Sequence, residues 1–218
     1  MIIGNREIDI YRNITGTKAP AVMVIGEHHD VEEIMKHIDS DNYILINIKT
    51  VNWNDDLTPW YVDRLFRSDQ PYNGKADCFI REIEEIIIPE LHKLLGDLVS
   101  YYAIAGYSLA GLFAVYSIYR TKVFRRLASV SGSLWYPEFV NYAEKELPCA
   151  EPEKIYFSLG DRENKSRNAL MSTVKDCTAR LRDFYAERGI DTVFEENPGN
   201  HFQNAAERLA KGISWILK

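Results

Sequence analysis

The chain has 218 residues, of which 46% are hydrophobic and 27% are charged, and its formal net charge is −6. These proportions are typical of a globular protein with a sizeable core, and the length predicts one domain over residues 1–218. The negative charge argues against nucleic acid as a partner, because no basic patch can replace the counterions of a phosphate backbone. It argues equally against a membrane partner, and no apolar run approaches membrane-spanning length.

The cysteines predict a reducing compartment. Cys78, Cys149 and Cys177 are far apart in the sequence and form no C-x-x-C pair. Such a sparse, odd set gives no disulfide framework. The first residues also lack the basic segment and long apolar stretch of a signal peptide. We therefore expect a cytoplasmic location.

The first third of the chain alternates between apolar strands and polar segments. Residues 7–11 alternate polar and apolar side chains, the period of a half-exposed strand. Residues 21–25 and 43–48 are continuous apolar runs, typical of strands that helices cover on both faces. Between these runs, Asp30 and Glu33 predict the capped start of a helix that extends to about residue 38. Residues 49–76 predict a long loop, and loops of this length are usually functional.

The rest of the chain repeats the alternation. A helix with apolar positions from Phe79 to Leu91 is expected to bend or break at Pro89. Strands are then predicted over 99–105, 127–130, 154–159 and 192–195, and helices over 109–119, from 137, 169–188 and 203–217. This order predicts an α/β fold with a central, mostly parallel sheet flanked by helices and no large cap domain. Sites in such sheets lie at the carboxyl ends of the strands.

The sharpest motif is Gly-Tyr-Ser-Leu-Ala-Gly at 106–111, between a predicted strand and a predicted helix. A tight turn in this context lifts the Ser108 hydroxyl above the sheet, as in the nucleophile turn of α/β-hydrolases. Ala110 stands where glycine is usual. The amide of Leu109, at the helix N-terminus, is positioned to bind an oxyanion. An ordinary serine in a glycine-bounded turn is the alternative, but the strand–turn–helix context favours a nucleophile.

A serine nucleophile needs a base, and the chain has five histidines. His201 follows a turn cluster between the last strand and the last helix, where the order serine, acid, histidine requires the base. His37 and His92 fall within predicted helices and are expected to be solvated or packed. The acid should follow the strand 154–159, where Asp161 and Glu163 compete.

Four segments carry a resemblance to a known family: 106–114, 131–135 (Ser-Gly-Ser-Leu-Trp), 159–163 (Leu-Gly-Asp-Arg-Glu) and 197–202 (Asn-Pro-Gly-Asn-His-Phe). They resemble the esterase family of the α/β-hydrolase superfamily, in the branch of esterase D and enterochelin esterase. Leu-Thr-Pro-Trp at 57–60 also resembles a loop of that branch. The similarity runs from about Ala21 to the C-terminus. It implies the α/β-hydrolase fold and a serine esterase with Ser108 as nucleophile, His201 as base and an acid within 161–163.

The resemblance also bears on the acid and the oxyanion donors. Family members usually carry the acid three residues after the glycine that ends the strand, which favours Glu163, with Asp161 as the alternate. Their oxyanion loop often contains His-Gly or Asp-Gly, whereas this chain has Gly26-Glu27. The oxyanion donors are therefore predicted to be the amide of Leu109 and that of either Gly26 or Glu27.

Two further sets of residues could bind a metal ion or a substrate, and each has an alternative without a binding role. Glu-His-His-Asp at 27–30 offers metal-ligand side chains, but adjacent histidines point in different directions and no third spaced ligand is evident. We therefore expect no metal, and His28 or His29 is the next candidate for the base after His201. Trp60, Trp135 and Tyr107 are predicted to bind substrate, with core packing as the alternative for the tryptophans.

These observations together predict a serine hydrolase that cleaves a small-molecule acyl ester through an acyl-enzyme, without a cofactor. An acyltransferase or thioesterase would use the same residues with another acceptor or leaving group. A non-catalytic binding protein of the same fold is the alternative from a different class. The family resemblance extends to siderophore esters, glutathione thioesters and carbohydrate acyl esters, so the fold does not select the substrate.

Overall fold

A computed structural model describes residues 1–26, 31–49, 51–65 and 70–218 of the chain. The strands in these ranges are Ile2–Ile3 (β1), Arg6–Asn13 (β2), Ala19–Ile25 (β3), Tyr43–Ile48 (β4), Tyr61–Val62 (β5), Tyr72–Asn73 (β6), Val99–Tyr107 (β7), Phe124–Val130 (β8), Lys154–Gly160 (β9) and Asp191–Asn197 (β10). The α-helices are Val31–His37 (α1), Trp53–Asp56 (α2), Ala76–Glu82 (α3), Ile88–Leu95 (α4), Leu109–Ser117 (α5), Phe139–Lys145 (α6), Val174–Glu187 (α7) and Ala205–Leu217 (α8).

A central sheet organises the described part of the chain. Its strand order is β1-β2-β4-β3-β7-β8-β9-β10. The pairs β1–β2 and β2–β4 are antiparallel, and every pair from β4 to β10 is parallel. The predicted α/β class with a mostly parallel sheet is therefore confirmed. From β3 the chain passes to β4 on one side of that strand, and it later crosses over to β7 on the other side. The direction in which strands are added to the sheet therefore reverses at β3. Ligand sites in α/β sheets form at such points.

Helices cover both faces of the sheet, which explains the continuous apolar strands. Successive side chains of a strand point to opposite faces. In β3, Met23 belongs to the core beneath helices α3 to α7, and its neighbour Val22 belongs to the core beneath α1 and α8. Ile46 and Leu45 divide between the two cores in the same way on β4. Both faces therefore select apolar residues.

The helices differ from the sequence prediction at two places. The predicted break at Pro89 takes the form of a π-helical turn, Ile83–Ile87, that directly precedes α4. A wider turn relieves the clash between a proline ring and the carbonyl group four residues earlier. The helix predicted over 169–188 begins only at Val174, after a 3₁₀ turn at Met171–Thr173. Within the described ranges, no helix is both long and apolar enough to cross a membrane.

The segment predicted as a long loop contains regular structure of its own. It includes α2 and a two-stranded ribbon in which Tyr61 pairs with Asn73. Asp55, at the end of α2, accepts hydrogen bonds from Asn73 at 2.6 Å and from Lys75 at 2.7 Å. Thr58 is fully buried and donates to the Asn54 carbonyl group. The described residues of this segment therefore include part of the core on the α3–α7 face.

Candidate active site

The turn between β7 and α5 places Ser108 at the carboxyl end of the sheet. Its backbone has φ 59° and ψ −122°, which residues other than glycine rarely adopt. A Cβ atom on Gly106 would lie 2.1 Å from the Ala110 carbonyl oxygen, and one on Gly111 would lie 2.8 Å from the Gly132 Cα atom. Strand and helix thus approach too closely for larger residues. This is the strand–turn–helix geometry that projects a nucleophile from the sheet.

The three side chains predicted for the reaction form one hydrogen-bonded chain. His201 Nδ1 lies 2.8 Å from Glu163 Oε2, and His201 Nε2 lies 3.1 Å from Ser108 Oγ. Parallel pairing explains why acid and base meet, because β9 and β10 end side by side with Gly160 opposite Asn197. A carboxylate at Nδ1 selects the tautomer in which Nε2 accepts the serine proton.

Glu163 is buried and held by several donors. Its Oε1 accepts hydrogen bonds from Ser131 Oγ at 2.6 Å, from the Gly160 amide at 2.6 Å and from Arg208 Nη2 at 2.8 Å. Burial by itself would raise the pKa of the Glu163 carboxyl, but the hydrogen bonds from His201, Ser131 and Gly160 outweigh it and lower that pKa to about 2. The acid is therefore ionised at neutral pH and can stabilise a positively charged imidazole.

Asp161, the alternate acid, has a different role. Its side chain is exposed, and Oδ1 accepts a hydrogen bond from the Gly199 amide at 2.9 Å. The Asp161 amide in turn donates to the Asn197 carbonyl oxygen at 2.8 Å. Asp161 thus stabilises the backbone that precedes His201. The carboxylate that contacts the imidazole is that of Glu163.

The predicted oxyanion donors divide into three cases. Leu109 is the first residue of α5, where a backbone amide has no acceptor within its own helix. The Gly26 amide donates to the Ile48 carbonyl oxygen at 2.9 Å, so the sheet already uses it. This engagement argues against the prediction for Gly26. Glu27, the other candidate, lies outside the described residues.

The segment for which a metal role was considered and not expected is not described either. Residues 27–30, including His28 and His29, fall in a gap between the described ranges. In the remaining ranges, no group of three or more His, Cys, Asp or Glu side chains is arranged to hold a metal ion.

A cavity of about 500 Å³ opens beside Ser108 and His201. Its described lining consists of Ser108, Ser131, Ser133, Trp135, Arg162, Glu163, Lys165, Ser166, Met171, Val174, Asn200, His201 and Phe202. Trp135 lies in this lining, and its role in binding substrate stays a prediction. Phe202 is 88% exposed and stands next to the imidazole, with the two ring centroids 5.2 Å apart. The cavity therefore combines an apolar wall with hydroxyl groups and two cations.

The other two predicted substrate contacts do not line this cavity. Trp60 packs edge-on against Tyr142, with centroids 5.3 Å apart, and its indole N–H donates to the Pro137 carbonyl oxygen at 3.1 Å. Tyr107 is 5% exposed, and its hydroxyl donates to the His201 carbonyl oxygen at 2.6 Å. Trp60 thus packs against aromatic residues of the core and Tyr107 contacts the segment that carries His201, and a role of either in binding substrate stays a prediction.

Arg208 was not predicted as a site residue from the sequence. This residue is 2% exposed and lies on α8, where it contacts Glu163 and Tyr107. A signal was present, because Arg208 falls on the same helix face as Leu209, Gly212, Ile213 and Ile216, all of which are buried or apolar. A single charge on an apolar face predicts a buried partner of opposite charge.

Sequence comparisons give limited similarity. No family model matches the chain. An uncharacterised protein of Bacillus subtilis (strain 168), YbbA, is 21% identical over 184 residues, which are 79% of this chain and 72% of that protein.

Solved structures are similar over nearly the whole chain. An IroE-like serine hydrolase from Shewanella oneidensis matches with a TM-score of 0.81 and 17% identity, over 97% of this chain and 75% of that one. The siderophore hydrolase EstA from Aspergillus nidulans gives 0.76 and 19%, over 97% and 89%. Enterochelin esterase from Shigella flexneri gives 0.70 and 16%, over 97% of this chain and 54% of that one. These likenesses confirm the predicted resemblance at the level of structure: the chain has the α/β-hydrolase fold that these three proteins share.

Proposed function

We propose that the protein is a serine hydrolase that cleaves small-molecule carboxylic esters through an acyl-enzyme. The observation that carries the proposal is the hydrogen-bonded chain Ser108–His201–Glu163 at the edge of a cavity of about 500 Å³. A serine, a base that reaches it and an acid that orients the base are the parts of an acyl-transfer site. The structural neighbours, described as a serine hydrolase, a siderophore hydrolase and an enterochelin esterase, support the same chemistry.

Acylation follows from the geometry. His201 Nε2 takes the hydroxyl proton of Ser108 as Oγ attacks the ester carbonyl carbon. The carbonyl oxygen becomes an oxyanion, and the Leu109 amide at the start of α5 donates a hydrogen bond to it. Glu163 stabilises the imidazolium through Nδ1–H. His201 then gives the proton to the departing alkoxide, which leaves as an alcohol and frees the acyl-enzyme.

Deacylation uses the same groups in the same order. A water molecule takes the place of the alcohol, and His201 removes one of its protons as the oxygen attacks the acyl carbon. The tetrahedral intermediate collapses with return of the proton to Ser108 Oγ, and the carboxylic acid product leaves. The neutral imidazole is regenerated, so each cycle consumes one water molecule.

The cavity favours a substrate with an apolar part and a negative charge. Trp135, Phe202 and Met171 offer the apolar wall, and Arg162 and Lys165 contribute cations in a chain whose net charge is −6. Glu163 is the one carboxylate in the described lining, and it already contacts His201 and Arg208. We therefore propose acyl esters that carry an anionic group, a class compatible with the siderophore substrate named for EstA.

Turnover of a panel of acyl esters and thioesters by wild type and by Ser108→Ala tests the reaction. We expect ester hydrolysis that requires Ser108, and labelling of wild type by a fluorophosphonate probe. Ser133→Ala is the matched control for labelling, because it removes a different hydroxyl from the same cavity. Faster turnover of thioesters than of esters would favour the thioesterase alternative. A binding protein would show neither turnover nor labelling.

The charge preference has its own test. Lys165→Met should lower kcat/KM for an ester with a carboxylate on its acyl group by a few-fold and leave a neutral ester of equal size unaffected, because an exposed cation contributes up to about 1 kcal/mol. Equal effects on both esters would contradict the proposed preference.

A further inference from the structure

Arg208 is buried where arginine seldom is. The residue is 2% exposed, and its Nε–H has no hydrogen-bond partner in the described part of the chain. Removing a guanidinium from water costs several kcal/mol, and a buried ion pair often does no better than apolar packing. Stability alone is thus a weak reason for an arginine here. Its contacts point to another role.

One nitrogen of the guanidinium binds the acid. Nη2 donates to Glu163 Oε1 at 2.8 Å and also donates to the Ser131 hydroxyl. With Ser131 and the Gly160 amide, Arg208 is one of three donors to Oε1. Oε2 is left facing His201 Nδ1. The carboxylate is thereby fixed in the orientation that presents one oxygen to the imidazole.

The other nitrogen binds the segment that carries the base. Nη1 donates to the Tyr107 hydroxyl at 3.1 Å and to the Asn200 carbonyl oxygen at 3.3 Å. Tyr107 in turn donates to the His201 carbonyl oxygen at 2.6 Å. Arg208 therefore joins the acid to the two peptide groups that flank the His201 Cα atom, to one directly and to the other through Tyr107.

The charge of Arg208 also affects the base. A buried carboxylate beside an imidazole favours the protonated ring, which cannot accept the serine proton. The guanidinium on the far oxygen of Glu163 offsets part of that carboxylate charge. The other charged or titratable groups around this cluster are Tyr107 on β7, Asp161, Arg162 and Lys165 after β9, and Glu195 on β10, which is paired with Lys211 of α8. None of these contacts Glu163 in the described structure, so Arg208 is the cation that faces it.

We infer that Arg208 is a positioning residue: it aligns Glu163 with His201 and offsets the carboxylate charge that the imidazole faces. The inference rests on the proposed function for its catalytic meaning. The charge effect, however, is a property of the free protein and can be measured without substrate.

Proton NMR titration of His201 in the full chain tests the inference. The His201 signal is identified as the one absent from the spectrum of His201→Gln. In Arg208→Met, the midpoint of this titration should move up by about one pH unit, because the carboxylate is no longer offset. The acidic limb of kcat/KM should move by the same amount, which corresponds to about a tenfold loss of activity on that limb. A downward shift would contradict the inference, since it would mean that Arg208 only holds the fold of the site.

Two variants sharpen the result. Arg208→Lys keeps a charge but lacks the two-nitrogen fork, so the midpoint should remain at its wild-type value while kcat falls. Arg180→Met removes an exposed arginine paired with Glu144 on the far side of α7, and neither quantity should change. Because the titration needs no substrate, it can succeed even if ester hydrolysis is not found, and ester hydrolysis can be found when the titration fails.

The inference can still be tested if Arg208→Met does not fold. Arg208→Gln replaces Arg208→Met in that case, because its amide can donate to Glu163 while carrying no charge, and the same upward shift is expected. If only a cation at position 208 permits folding, and Arg208→Lys has wild-type kcat and an unchanged pH profile, the residue serves stability and the inference is wrong.

Discussion

Two junctions between distant segments of the chain are held together by different interactions. The polar junction comprises residues 160–163, residues 198–204 and Arg208, and hydrogen bonds hold it together. The aromatic junction comprises Trp60, Tyr136, Phe139 and Tyr142, with ring centroids 5.3–6.5 Å from the indole. In the described chain, the polar junction borders the cavity and the aromatic junction does not.

The difference separates function from stability. Hydrogen bonds contribute modestly to the free energy of folding but depend strongly on direction, so small changes in the polar junction should misalign the proposed acid and base. Aromatic packing contributes in proportion to buried area and is less directional. Substitutions in the two junctions should therefore affect different measurements.

His201→Ala is expected to have the largest effect on the polar junction. Removing the proposed base should lower kcat by about 10⁴-fold or more, a size typical of a lost triad member. The melting temperature should change little, because the side chain is partly exposed. Steady-state kinetics and thermal unfolding measure the two quantities. A folded variant with near-wild-type turnover would move the base role to another residue, with His28 and His29 next in order.

A matched pair of carboxylate substitutions distinguishes the acids. Glu163→Gln should lower kcat by about 10²- to 10⁴-fold, because an amide at Nδ1 permits the wrong imidazole tautomer. Asp161→Asn should lower kcat by only a few-fold, because Asp161 accepts a hydrogen bond from the Gly199 amide and does not contact the imidazole. Both variants are compared in one ester assay. A severe loss in Asp161→Asn with a mild one in Glu163→Gln would contradict the assignment.

Trp60 in the aromatic junction and Trp135 in the cavity wall form a second matched pair of substitutions. Trp60→Ala should reduce the free energy of unfolding by about 3 kcal/mol, the usual cost of truncating a packed aromatic residue, with kcat largely retained. Trp135→Ala makes the same truncation in the cavity wall and should chiefly change KM and the preference among acyl groups. Urea unfolding and a substrate panel measure the two outcomes. If Trp60→Ala changes selectivity without loss of stability, the distinction between the junctions does not hold.

Acid should weaken the polar junction selectively. The pKa of Glu163 is lowered to about 2 by its hydrogen bonds despite burial, so its stabilising effect is present above the unfolded-state pKa of about 4.3 and is lost as pH falls towards 2. Wild type should therefore lose more stability than Glu163→Gln between pH 5 and 2 (an interval set by these pKa values). Trp60→Ala, which removes no charge, should parallel wild type. Identical pH curves for wild type and Glu163→Gln would contradict the lowered pKa.

Much of the site follows from the sequence because parallel strands bring their carboxyl ends to one edge. That rule located Ser108, His201 and the pair Asp161 and Glu163 without knowledge of side-chain directions, and the family resemblance favoured Glu163 of the two. It could not show that Tyr107, the last residue of β7, points away from the cavity. Direction depends on where a strand ends, which is uncertain by a residue or more.

Contacts between distant segments could not be predicted from the sequence. Trp60 is held by rings 76 or more positions later, and no periodicity links the two segments. Arg208 gave a signal on an apolar helix face, but its partners lie on four other segments. The cytoplasmic location inferred from Cys78, Cys149 and Cys177 stays a prediction.

Trapping of the acyl-enzyme is a direct test of Ser108 as the nucleophile. Wild type is mixed with a slowly released ester, quenched in acid and digested, and the peptide that contains residues 106–111 is analysed by mass spectrometry. We expect the acyl mass on Ser108 of wild type. The same acyl-enzyme should accumulate far more slowly in His201→Ala and should be absent from Ser108→Ala. Ester turnover by wild type with the acyl group on another residue, or with none found on Ser108 under conditions that trap an acyl-enzyme, would contradict the assignment of Ser108.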